Sequence, residues 1–149
     1  HPDRRHRMSV NGDIRCLLES AVLSVSGLPT DDGRLRTYKY VPEQIIAPCA
    51  VISPGAWATP AAADYEEATR EWIVQVIAGR AAEDSAQQLL DDLTETHGSQ
   101  SVIAAMNAAL AGPGETQGFV TGCNEYAALT IGDLAYVACN IRVRIITDH

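Results

Sequence analysis

Cysteine and histidine side chains could supply nucleophilic or metal chemistry, but their spacing in this chain favours neither. The cysteines are Cys16, Cys49, Cys123 and Cys139. Because none lies in a CxxC pair or near a histidine, we expect buried free thiols that pack as small apolar groups. The histidines are His1, His6, His97 and His149. His97 ends a predicted helix, where a protonated imidazole would face the negative end of the helix dipole rather than act in catalysis.

The sequence likewise gives little support for phosphate binding or for catalysis by carboxylates. The sole lysine is Lys39, and the glycine-rich run GPGETQG at 112–118 has neither a lysine nor a strand–loop–helix context, so it predicts a helix end and a loop. The aspartate pairs at 31–32 and 91–92 are adjacent in sequence, and adjacent residues do not face each other on a helix. Carboxylates distant in sequence could still meet in space as an acid pair. Without a motif for a serine nucleophile, we expect no enzyme, no cofactor and no metal site.

Aromatic side chains are concentrated in one third of the chain and could bind another protein. They are Tyr38, Tyr40, Trp57, Tyr65 and Trp72. Trp72 lies on a predicted strand, so core packing is its expected role. Trp57 stands between two alanines in a predicted loop, where an exposed tryptophan would anchor an interface. The alternative is that Trp57 folds back onto its own domain.

Two arginines near the end of the chain, Arg142 and Arg144, alternate on one face of the last predicted strand. Arginines on an edge or an outward face deter uncontrolled strand addition. They could also pair with the acidic helix of a neighbouring subunit. The complete set of candidate interface residues is Tyr38, Tyr40, Pro42, Trp57, Tyr65, Arg142 and Arg144.

Length, composition and charge favour a single globular domain. The chain has 149 residues, of which 46% are hydrophobic and 20% charged. The formal net charge is −8, and residues 41–149 carry four Lys/Arg against fourteen Asp/Glu. Such an acidic body repels phosphate, so we do not expect sequence-independent binding of nucleic acid. No run is long and apolar enough for a membrane span, and residues 1–7 are too charged for a signal peptide, so we expect synthesis in a cytoplasm and no membrane association.

Residues 1–9 form a basic segment that begins HPDRRHR, followed by one predicted domain at 10–147. We expect the basic segment to be a flexible tail, although it could touch an acidic partner or nucleic acid. Helical and strand periodicities predict the order α-β-β-β-α-α-β-β-β. The helices are expected at 8–25, 81–97 and 100–111, and the strands at 35–40, 49–53, 70–78, 118–122, 126–131 and 134–146.

This order predicts an α+β fold, with a mainly antiparallel sheet and helices packed on one face. The strand at 70–78 is apolar on both faces and should be central. Residues 55–69 are expected to form an exposed loop, and Gly132-Asp133 a hairpin turn. Ser99 is the expected N-cap of the helix at 100–111, and Ala82 is expected on the inner stripe of the helix before it.

Four segments in a fixed order resemble a known protein family. They are YKYVPEQIIAPCAVISPG at 38–55, EWIVQVIAGRAAEDSAQQLLDDLT at 71–94, GSQSVIAAMNAAL at 98–110 and GDLAY at 132–136. Each segment is weakly specific, but together they cover about residues 10–147 and resemble the tail terminator proteins of long-tailed phages, especially phages of actinobacterial hosts. The basic HPDRRHR extension departs from that pattern.

The resemblance implies a structural virion protein at the head–tail junction, assembled in the host cytoplasm. Its subunits would form a homo-hexameric ring that caps the completed tail tube and ends tube polymerisation. The partners implied are a second copy of the chain, the tail tube protein and a head–tail connector or stopper protein, with genomic DNA passing through the lumen without specific binding. The alternatives are another neck protein, such as a stopper or adaptor, or a small enzyme or ligand-binding α+β domain.

Overall fold

A computed structural model of the chain contains three helices and six strands among the residues that it describes. Those residues are 10–28, 30, 32–39, 44–58, 67–95, 98, 100–111, 116–123 and 127–148. The helices are α1 (Val10–Leu23), α2 (Asp84–Leu93) and α3 (Val102–Leu110). The strands are β1 (Arg36–Tyr38), β2 (Cys49–Ala58), β3 (Glu67–Arg80), β4 (Thr116–Cys123), β5 (Ala127–Ile131) and β6 (Leu134–Asp148).

One mixed sheet contains all six strands, and its two longest strands, β3 and β6, are neighbours at its centre. The sheet order is β1-β2-β3-β6-β4, with β5 also paired to β6. Only the short β1–β2 pair is parallel; every other pair is antiparallel. The predicted α+β class, the mainly antiparallel sheet and the central position of the strand at 70–78 are therefore confirmed.

The main hydrophobic core lies between one face of the sheet and all three helices. From β3 it receives Trp72, Val74, Val76 and Ala78, and from β6 it receives Cys139, Ile141, Val143 and Ile145. The helices contribute the apolar stripe that recurs every three or four residues, including Ile14, Leu18, Leu90, Leu93, Met106 and Leu110. Because strand side chains alternate between faces, these core residues direct the intervening residues of β3 and β6 to the other face.

A smaller apolar cluster covers one end of that other face. It consists of Cys49, Val51, Ile77, Ile131, Tyr136 and Ala138, with Tyr38, Ile45, Ala47 and Leu129 packed against it. The segment at 44–48 lies over this cluster and is held by Tyr38, whose hydroxyl accepts a hydrogen bond from the Ile46 N–H (3.3 Å). The peptide bond between Ala47 and Pro48 is cis. Only part of this face is thus covered within the described residues.

The prediction of a loop at 55–69 is wrong at both ends, because the flanking strands extend into this range. Strand β2 continues to Ala58, and β3 begins at Glu67, so the two strands pair beyond the limits that the sequence pattern indicated. The register shifts between Pro54 and Trp57, which is a bulge that accommodates the proline. The pairing of β2 with β1 ends at Val51, so Pro54 lies where β2 is an edge strand, and an edge tolerates a residue without an N–H.

Two details of the helix ends also differ from prediction. The N-cap of α3 is Ser101, whose hydroxyl oxygen accepts a hydrogen bond from the Ala104 N–H (3.0 Å), whereas Ser99 lies outside the described residues. Ala82 is exposed because α2 begins only at Asp84, after a turn that follows β3. The hairpin turn is confirmed, and Gly132 adopts a positive φ of 62° there.

The expectation of four free cysteines is wrong for two of them. Cys123 on β4 and Cys139 on β6 form a disulfide across a sequence separation of 16 residues. Strand pairing places Cys123 opposite Ile141, two positions from Cys139, and this proximity depends on register rather than on any sequence motif. Neither Cys16 nor Cys49 forms a disulfide; Cys16 is exposed, contrary to expectation, whereas Cys49 is buried as expected.

Trp72 is the largest fully buried side chain of the core. The guanidinium of Arg15, on α1, lies 5.1 Å from the centre of its ring and also donates a hydrogen bond to the Ile52 carbonyl on β2. This cation–π contact fastens α1 to the sheet beside the buried ring. Removal of the indole would therefore leave both a cavity and an unsupported guanidinium.

Trp72→Ala should lower the free energy of unfolding by about 3–5 kcal/mol, because the core cannot refill the volume of an indole. Urea denaturation followed by circular dichroism would measure this change. The control is Phe119→Ala on β4, since Phe119 is 48% exposed and its truncation should cost much less. Equal effects of the two substitutions would contradict the central position of Trp72.

Candidate functional site

The sheet face opposite the helices carries a surface that we call the open sheet face. Its residues are Glu71 and Ile73 on β3, Phe119 on β4, and Arg142 and Arg144 on β6. Strand register places Phe119, Arg144 and Glu71 in one row across the sheet, and Arg142 beside Ile73 in the next. Cross-strand partners share a face, so these side chains form one continuous surface.

The open sheet face follows directly from the alternation of β6. Ile141, Val143 and Ile145 are fully buried against the helices, whereas Arg142 and Arg144 are exposed on the opposite side. A strand that buried both faces could not carry charges at these positions, since an unpaired buried guanidinium is strongly unfavourable. The pattern thus requires that this part of the sheet face solvent or another molecule.

Electrostatically, the open sheet face is cationic despite the acidic chain. Arg142 lies 3.9 Å from the Glu71 carboxylate, with side-chain exposures of 49% and 32%, a geometry that contributes little to stability. Arg144 makes no ion pair within the described part of the chain. The excess of positive charge is local to Arg142 and Arg144, because strand register places Glu67 opposite Asp148 on the same face, four positions farther along β3 and β6.

Apolar groups flank the arginines on this surface. Phe119 is 48% exposed, and Ile73 is half-buried between Arg142 and the β2 residue Ser53. An exposed phenylalanine beside arginines is a combination that protein interfaces favour over the rest of a protein surface. The open sheet face therefore has the composition of a protein-binding surface.

The helix side of the molecule presents the opposite charge. Helix α2 buries Ala86, Leu90 and Leu93 against the sheet, and its other side carries carboxylates. We define the acidic face of α2 by Glu83, Asp84, Asp91, Asp92 and Glu95. No Lys or Arg occurs at 81–97 to neutralise these groups locally. Asp84, in the first turn, is favoured by the positive end of the helix dipole.

Two adjoining pockets border the segment at 44–48 and share Ile45 and Tyr136 in their walls. One pocket, of about 420 Å³, brings Arg80, Glu83 and Ser85 to its rim. The other, of about 560 Å³, lies beside the hairpin turn at Gly132. Both pockets are open concavities lined by apolar and polar side chains.

Six of the seven predicted interface residues fall into three groups. Arg142 and Arg144 come together on the open sheet face, whereas the Tyr38 hydroxyl is engaged in holding the segment at 44–48. Tyr40, Pro42 and Tyr65 lie outside the described residues.

Trp57 belongs to β2, where its backbone pairs with Arg70, so the prediction that it sits in a loop is wrong. Its role at an interface stays a prediction. Sequence reasoning missed Phe119 and Ile73, although the period of two along each predicted strand could have indicated their outward faces.

The described residues contain neither a cluster of metal ligands nor a helix able to span a membrane. No group of three or more His, Cys, Asp or Glu side chains is arranged there to hold a metal ion. Among the helices of those residues, none has the length and apolar character needed to cross a bilayer.

Cys49 is the most strongly perturbed titratable group in the described structure. Burial in the smaller apolar cluster raises the pKa of its thiol from 9.0 to about 12. By contrast, the hydrogen bond from the Arg34 N–H lowers the pKa of the exposed Asp32 carboxyl. A raised thiol pKa keeps Cys49 protonated, which disfavours a nucleophilic role.

The buried thiol predicts a specific loss of stability at alkaline pH. Above pH 9.0 the unfolded thiol ionises while the folded one, with a pKa near 12, keeps its proton. The unfolded state then binds fewer protons, so the free energy of unfolding falls by up to about 1.4 kcal/mol per pH unit. Urea denaturation between pH 7 and 10 should show this fall in the wild type and a smaller one in Cys49→Ala. If the free energy of unfolding fell equally with pH in both proteins, burial would not raise the pKa of the Cys49 thiol.

No protein-family model and no curated protein sequence matches this chain. The candidate function consequently rests on the chain's own motifs and surfaces.

Proposed function

We propose that this chain is a structural protein of a long-tailed phage, the tail terminator at the head–tail junction. In this role, copies form a homo-hexameric ring that caps the finished tail tube and stops its polymerisation. The opposite surface of the ring joins the connector or stopper protein of the filled head. The proposal assigns no catalytic residue and no cofactor.

The observation that carries the proposal is the order of four family-like segments along one α+β domain. In the fold, YKYVPEQIIAPCAVISPG runs from Tyr38, the last residue of β1, into β2. EWIVQVIAGRAAEDSAQQLLDDLT contains most of β3, including its Gly-Arg end, and all of α2. GSQSVIAAMNAAL leads into α3, and GDLAY begins β6. Each segment thus overlaps at least one strand or helix of the domain.

The Gly-Arg junction has a physical reason. A Cβ at Gly79 would lie 3.0 Å from the Cβ of Ala86, so a larger residue would push α2 away from β3. The strand, the glycine and the closely packed helix therefore form one structural unit. The segment that contains this unit is the longest of the four.

Charge supports the same role more generally. The formal net charge of −8 would keep DNA from adhering to the wall of a lumen through which it must pass. Binding of other proteins would then depend on local surfaces such as the open sheet face rather than on the overall charge.

The pockets beside the segment at 44–48 are the observation that favours a second candidate, a ligand-binding α+β domain. Arg80, Glu83 and Ser85 at the rim of one pocket could hold a small polar molecule. The experiment below separates this candidate from a virion role, because a ligand-binding accessory protein would leave particle assembly intact.

Deletion of the gene from the phage genome that encodes the chain tests the proposed function. Electron microscopy of the resulting lysate should show over-long tails that are not attached to full heads, because tube growth would continue without a cap. A plasmid copy of the wild-type gene is the control and should restore tail length. Normal-length tails detached from heads would instead assign the protein to the connector side of the neck. Intact virions would refute the proposal and favour the ligand-binding candidate.

A further inference from the structure

The two charged surfaces of this domain point in opposite directions. The acidic face of α2 looks away from the sheet on the helix side, because Ala86, Leu90 and Leu93 face the main core. The open sheet face looks the other way, because Arg142 and Arg144 alternate with buried residues of that same core. One copy of the chain therefore carries an anionic surface and a cationic surface on opposite sides.

We infer that the open sheet face binds the acidic face of α2 on a second copy of this chain, so that copies associate head to tail. The inference rests on the proposed function in that it names the surfaces through which the ring subunits would meet. It commits the open sheet face to one occupant, a carboxylate-bearing helix of an identical subunit.

Charge complementarity is the first argument for this occupant. Residues 41–149 contain only four basic side chains, and two of them, Arg142 and Arg144, are adjacent on the open sheet face. Residues 81–97 contain five carboxylates and no Lys or Arg. The chain thus separates its few positive charges from its densest negative ones, which is the arrangement that steers and orients association between copies.

Geometry provides the second argument. Alternate residues of a strand such as Arg142 and Arg144 are about 7 Å apart. One turn of a helix rises about 5.4 Å, so two carboxylates one turn apart can meet both guanidiniums. Phe119 and Ile73 lie beside the arginines, and the half-buried Leu89 lies beside the carboxylates, so an apolar contact can accompany the ion pairs.

The direction of the two surfaces determines the symmetry of the association. A two-fold axis pairs unlike patches only when both lie on the same side of the subunit, and here they lie on opposite sides. Contact between unlike patches is heterologous, and it generates a closed ring when the rotation per subunit divides a full turn. Head-to-tail pairing of these surfaces is therefore not two-fold. Patches directly opposite each other would give an open stack, and closure into a ring requires each subunit to be tilted relative to the next.

Two reciprocal variants test the pairing. Variant A, Arg142→Glu with Arg144→Glu, makes both surfaces acidic, and variant B, Asp92→Lys with Glu95→Lys, makes the α2 surface less acidic and more basic. Lysines near the end of α2 suit the helix dipole, so variant B should fold. The matched control is Arg34→Glu with Arg36→Glu, which introduces the same charge change at two exposed arginines elsewhere. Circular dichroism would verify the fold of each variant.

Sedimentation velocity at low salt, at protein concentrations up to about 1 mM, would measure self-association. The wild type and the control should associate, and each variant alone should associate at least about tenfold more weakly, because like charges would meet across the interface. An equimolar mixture of A and B should regain association, since the acidic sheet face of A fits the lysines of B and the arginines of B fit the α2 of A. Added salt should weaken all of these complexes.

Three results would overturn the inference: a wild type that stays monomeric throughout, variants that associate as the wild type does, or a mixture that gains nothing over its components. If variant A lost binding to the tail tube protein but kept self-association, the open sheet face would belong to that partner instead.

The gene deletion separates this inference from the proposed function. Restored association in the mixture, together with intact virions after deletion, would retain the pairing and refute the terminator role. Over-long tails after deletion, with unimpaired self-association of A and B, would support the terminator role and refute the pairing of the two surfaces.

Discussion

The antiparallel pairing of β3 with β6 is the constraint on which the rest of the structure depends. These strands run side by side from Glu67 opposite Asp148 to Arg80 opposite Tyr136, and they occupy the centre of the sheet. Once their register is set, every side chain on both strands is assigned to a face. The apolar set that includes Trp72 and Val143 then requires cover, and the three helices supply it.

The same pairing creates the charged asymmetry of the molecule. Arg142 and Arg144 must face away from the helices because their neighbours on β6 face toward them. Helix α2, held close to β3 at Gly79, must present its carboxylates on the other side. A domain with helices on one face of its sheet thus separates cationic from anionic surfaces without any dedicated structural element. This separation is the physical basis of the head-to-tail association that we propose.

Local features modify the sheet without changing the strand order or the position of the core. Pro54 is accommodated by a bulge where β2 is no longer paired with β1, which allows β2 to extend along β3 as far as Ala58. The disulfide between Cys123 and Cys139 joins the edge strand β4 to the central strand β6. The segment at 44–48 covers a second, smaller apolar cluster, whereas Arg142 and Arg144, farther along β6, are exposed on the same face.

Periodicity in the sequence by itself determined the element types, their order and the α+β class, because apolar residues recur at the spacing of the element that buries them. It also placed Arg142 and Arg144 on one face of a strand, since alternation is a property of the strand alone. The disulfide, the extent of β2, the N-cap at Ser101 and the exposure of Phe119 were decided only by the tertiary structure. Each of these depends on which residues of another element lie opposite, and register and neighbour identity are set by contacts between segments far apart in the chain.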